Sequence, residues 1–101
     1  MTKNINLNIE ESDRRKRIAM LSLGLVMAIE DKIIKPADAQ KALFRPGIFF
    51  RYEDDPEIFR ILNLGEELEY IVGHFPEATV KKSIDEIKEL CCKILSDEAY
   101  S

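Results

Sequence analysis

At 101 residues, with 15 Lys/Arg against 19 Asp/Glu, the chain has room for one small core and little left over to bury an elaborate active site. Its net charge of −4 disfavours free nucleic acid as a ligand, because phosphate neutralisation needs a basic surface. The charge is uneven, ten Lys/Arg and six Asp/Glu in residues 1–51 against five and thirteen in 52–101, which points to an acidic interaction face or to two halves that attract each other across the fold.

The chain opens with NINLNIEES, where Ile5, Leu7 and Ile9 alternate with Asn. That period of two fits one short strand, and an extended arm over 1–11 fits equally well, since a lone strand needs a partner. A central helix is predicted over 12–32, apolar nearly all round in its middle and therefore buried. Gly24 and Ala28 within it would let another helix come close. The uncharged run IAMLSLGLVMAI, 18–29, has twelve residues, too few for a membrane span of about twenty. The RRKR at 14–17 before it imitates the start of a secretion signal, but Glu10, Glu11 and Asp13 lie alongside and no small-residue cleavage site follows. If the helix reaches back to Glu10, then Glu10–Arg14, Glu11–Arg15 and Asp13–Arg17 are acid-before-base pairs that neutralise the cluster.

A short helix follows over 36–44, with Pro36 at its first position and an apolar side of Ile34, Ala37, Leu43 and Phe44. Pro46 and Gly47 end it. Residues 42–59 hold five of the chain's eight aromatics. Within them GIFFRY, 47–52, is the stretch that helix logic leaves unexplained, and its adjacent Phe49 and Phe50 would face opposite sides of an extended segment. Asp54 or Asp55 with Pro56 then starts a helix over 56–74, whose apolar stripe runs through Ile58, Ile61, Leu62, Leu68, Val72 and Phe75. Gly65 lies on the same stripe and marks either a kink or a close helix contact. A last helix over 77–96 buries Val80, Ile84, Ile87, Leu90, Cys91, Ile94 and Leu95. The fold class is all-α, one domain of about four helices in a compact bundle.

The chemistry-bearing residues are sparse. His74 is the one histidine, placed near a helix C-terminus where imidazolium is favoured. A metal-dependent or enzymatic site would have to be built on it and nearby acids, and no metal-binding or nucleophile spacing supports that. Cys91 and Cys92 are adjacent, cannot close an ordinary disulfide, and fit a reducing cytoplasm. No cofactor, metal or catalytic residue is implied. The preferred function is a non-enzymatic protein-binding module, regulatory or immunity- and antitoxin-like, with a basic protein partner and no nucleic-acid or membrane partner. In that reading Glu53, Asp54, Asp55, Glu66, Glu67 and Glu69 steer association while Phe49, Phe50 and Tyr52 anchor it. The alternative is a structural homodimer that uses the aromatic segment or the N-terminal arm.

Two stretches, DKIIKPADAQKALFRP with its Leu-Phe-x-Pro ending and LNLGEELEYIVGHFPE with its Leu-Gly-x-Glu-Leu-Glu core, together resemble a small uncharacterised bacterial family of about this length. It is one of the domains of unknown function found in bacilli and other bacteria, and the likeness covers roughly residues 15 to 95. The resemblance implies a cytoplasmic bacterial protein and carries over no activity. Phe49-Phe50 and the acidic run at 53–55 stand outside the family's pattern.

Overall fold

A computed structural model describes the chain over residues 3–99, with side chains placed for 13–97 apart from those at 46, 49 and 50. Helix α1, Lys3–Glu30, is followed by α2, Pro36–Ala42, and by α3, Pro46–Phe49, which continues into a 3-10 turn at Phe50–Tyr52. Helices α4, Pro56–Ile71, and α5, Glu77–Ala99, complete the bundle. Among the described residues there is no strand, only one isolated bridge between Val72 and Phe75. Nor is any helix there long and apolar enough to cross a membrane.

The alternation at Ile5, Leu7 and Ile9 therefore belongs to a helix and not to a strand or an extended arm. The physical reason is cooperativity: extending an existing helix adds one hydrogen bond for each residue fixed, while a lone strand finds no ladder to join. At its other end α1 stops in a six-to-one pattern of hydrogen bonds. The Ile33 N–H donates to the Ala28 carbonyl at 2.8 Å and the Lys32 N–H to the Ile29 carbonyl at 3.0 Å. Lys32 takes the left-handed conformation that this stop requires, φ 60°, a position that usually falls to glycine.

Helix α2 has Pro36 at its start and an Asp38 carboxylate that accepts from the Lys35 N–H at 3.0 Å. Helix α4 begins as anticipated. Asp55 is its N-cap, accepting from the Ile58 N–H at 3.3 Å, with Pro56 next. It runs on to Ile71 without interruption, and the chain turns at Gly73, φ 96°, a conformation open to glycine and strained for other residues.

The core is formed by Ile18, Ala19, Ser22, Val26 and Ile29 of α1 against Ile58, Ile61, Leu62 and Leu68 of α4 and Ile84, Ile87, Cys91 and Ile94 of α5. Leu43 and Phe44, which follow α2, close one side. Gly65 is the point of closest approach. A Cβ built there would meet the Phe44 ring, 2.6 Å from Cε1, so the glycine is a close-packing device and the helix has no need to kink. Among the described residues, three cross-helix ion-pair groups lace the outside. Arg15 of α1 binds Asp55, and it binds Glu57 at 3.1 Å. Arg60 of α4 holds Glu86 of α5 at 2.8 Å. Glu30, the last residue of α1, receives Lys88, and Lys81 at 3.7 Å, both from α5. The Arg15 and Glu30 groups both join the two halves of the chain, but only in the Arg15 group, among the described residues, does a base of the basic half meet acids of the acidic half. Mutual attraction therefore accounts for part of the asymmetry and leaves most of the described C-terminal acids exposed.

Cys91 is fully buried on α5, and burial, aided by the neighbouring Cys92, pushes its thiol up to about 12. Cys92 is exposed. Folded protein should therefore release one equivalent of chromophore with a disulfide thiol reagent at pH 8, and two once denatured. Two fast equivalents from the folded chain would contradict this placement.

Candidate functional site

An open cleft of about 690 Å³ lies where α1 passes the turn into α4. Arg14 and Arg15 form one wall, Arg51 and Tyr52 the second, and Asp54 to Glu57 the floor. Tyr52 is half-buried and packs on the core. Loss of water raises its phenol above the ordinary value, against the opposing pull of Arg14 and Arg51. Two of the three acids of the floor are already committed. Asp55 caps α4 and binds Arg15, while Glu57 takes Arg15 from one side and Lys93 of α5, at 2.9 Å, from the other. Lys93 above all, then Arg15, hold the Glu57 carboxyl below its usual range in spite of partial burial. That is the opposite direction to the one a general acid needs. The cleft is a structural lock between three helices.

The residues singled out from the sequence do not form one surface. Glu53 is exposed beside the cleft, Asp54 is exposed at its floor, and Asp55 is engaged within the fold. The side chains of Phe49 and Phe50 lie outside the described residues. Glu67 and Glu69 are exposed and Glu66 half-buried on the far half of α4, about 18 Å along the helix from Asp55 at 1.5 Å per residue. The fold thus divides the acids into two groups, one at each end of α4.

The second group has aromatic company: Phe75, which the sequence placed on the apolar stripe, and Tyr70, which the sequence reading did not single out. Tyr70 is 62% exposed and Phe75 47% exposed. The ring of Tyr70 stacks on His74 with centroids 4.5 Å apart, and meets the ring of Phe75 edge-on at 5.9 Å. His74 Nδ1 donates to the Tyr70 carbonyl at 2.7 Å, tying down the end of α4. Glu66 and Glu67 precede Tyr70 by four and three residues and so share its side of the helix. Phe75 has the right spacing for the apolar stripe, but Gly73 turns the chain before it is reached. That Gly-His-Phe-Pro sequence was the available signal. Among the described residues, no three His, Cys, Asp or Glu side chains come together as ligands for a metal ion.

No curated protein and no solved structure matches the chain. A family model matches residues 9–101, a span that includes both stretches on which the resemblance rested. With more than nine-tenths of its length inside that match, the chain belongs to the family described as a protein of unknown function, DUF3969.

Proposed function

We propose that this chain is a non-enzymatic, cytoplasmic protein-binding module that takes a basic protein partner on the Tyr70–His74–Phe75 end of α4. The observation that carries this reading is a rigid pair of large aromatic rings left in water with Glu66 and Glu67 on the same side. Aromatic side chains held in place lose little entropy on binding and are the usual anchors of interfaces. The surrounding acids favour encounter with a positively charged surface and raise the association rate at low salt. This reading sets the anchors at 70–75 and leaves Asp55 to its structural duties. A regulator or an immunity-like inhibitor of a basic protein is the class this surface suits, by analogy.

Affinity capture from the source cells at low salt should retain a basic protein that high salt releases. Replacing Tyr70 and Phe75 together by Ala should weaken that binding at least about tenfold, near 1.4 kcal/mol, with little change in melting temperature. Reversing Glu66 and Glu67 to Lys should chiefly slow association. Binding indifferent to all four substitutions, or no basic partner at low salt, would defeat the proposal.

A further inference from the structure

Helix α1 has a second apolar face that is left exposed among the described residues. Its core residues Ile18, Ala19, Ser22, Val26 and Ile29 point to α4 and α5. On the opposite side, at 100° per residue, Met20, Leu21, Gly24, Met27 and Ala28 fall within an arc of about 120° centred on Gly24. Met20 is 53% exposed, Leu21 46% and Met27 47%. Gly24 is exposed too, and a Cβ there would find nothing within 4 Å. Large apolar groups exposed together on one helix face mark a binding surface more often than isolated ones do.

The pattern is symmetric about Gly24. Leu21 and Met27 lie three residues to either side, Met20 and Ala28 four, Arg17 and Asp31 seven. Arg17 and Asp31 are both exposed, and neither takes part in an ion pair among the described residues. Asp31 still follows the helix, since its N–H donates to the Met27 carbonyl at 3.0 Å. We propose that this face binds a second copy of the chain, with the two α1 helices antiparallel and crossing on a two-fold axis at Gly24. In that arrangement Leu21 meets the partner's Ala28, Met20 meets the partner's Met27, and Arg17 meets the partner's Asp31, each contact made twice. The two glycines let the backbones approach. A parallel pairing would set Arg17 against the partner's Arg17 and Asp31 against the partner's Asp31, so the charges select the antiparallel form, as do the helix dipoles. One helix per protomer is a small interface, and micromolar self-association is expected. This face is on α1, away from the aromatic end of α4, and stands or falls independently of the binding surface there.

Sedimentation equilibrium of the full chain should show a monomer–dimer equilibrium across the micromolar range. Arg17→Asp and Asp31→Arg should each weaken dimerisation at least tenfold, and the two combined should restore it. Gly24→Glu should abolish the dimer, with helicity and melting in dilute solution retained because the position opens on solvent. In a Cys92→Ser background, Gly24→Cys should oxidise to a covalent dimer, a result specific to a crossing at this residue. A wild-type chain that is monomeric at high micromolar concentration would overturn the proposal and leave the face to a different protein. A dimer indifferent to the charge reversals and to Gly24→Glu would overturn it by placing the interface elsewhere.

Discussion

Gly65→Ala should destabilise the fold by about 2–3 kcal/mol, measured by denaturant unfolding, although the same change in an ordinary exposed helix stabilises by about 1 kcal/mol. The added methyl would sit against the Phe44 ring, 2.6 Å from Cε1, and the ring is fully buried with α4 beneath it. Relief requires moving either the ring or the α2–α4 contact. Phe44→Leu alone should also destabilise, by removing ring volume from the core, but combined with Gly65→Ala it should recover part of the loss. The double-mutant cycle should show favourable coupling of about 1 kcal/mol. Gly24→Ala is the control. With nothing within 4 Å of its Cβ, it should stabilise the chain in dilute solution by up to about 1 kcal/mol. Equal responses at the two glycines would contradict the packing described.

Glu57→Lys should be the most damaging single change of charge, costing about 2 kcal/mol, because it leaves Arg15 and Lys93 facing a third cation in a partly shielded cleft. Glu57→Gln should cost about 1 kcal/mol and also alter the response to acid. The carboxyl of Glu57, held by Lys93 and then Arg15, and that of Glu30, held by Lys88 first, both titrate below 4.5 in the folded chain. Their folded values are depressed, so their contribution is fully present above pH 4.5 and is lost as pH falls through the folded values. Lys88 and Lys93 are shifted upward from 10.5 by the same carboxylates, and their share is present below that pH and lost above it. Melting temperature should therefore be flat near neutrality and fall on acidification, and Glu30→Gln with Glu57→Gln should shallow that fall. An unchanged acid profile in the double variant would assign the acid sensitivity to other groups.

The stripes of α4 and α5 were legible because helical periodicity is local, and so was the Asp55–Pro56 start, whose chemistry sits within four residues. Other features depended on distant partners. Gly65 reads as kink or contact until Phe44, twenty-one residues earlier, is placed against it. The acids at 53–55 looked available to a partner, yet Asp55 is taken by Arg15, forty residues away. Apolar residues all round α1 suggested burial on every side, and periodicity cannot say how many neighbours a helix will have. Phe75 matched the stripe of α4, but Gly73 decides that the helix does not reach it.

The pairing of the first helix with the last also sets an order of events. Helix α1 packs mainly on α5 and less on α4, so during synthesis its core residues lack most of their cover until α5 leaves the ribosome. The closing contacts span most of the chain, which slows folding relative to a bundle of sequential hairpins. Until then Ile18, Val26 and Ile29 are exposed together with Met20 and Met27, and a nascent chain cut short before α5 presents α1 as a helix hydrophobic on both sides. Such a fragment is a natural client for a chaperone or a protease, and tolerance to changes near the C-terminus should be correspondingly low.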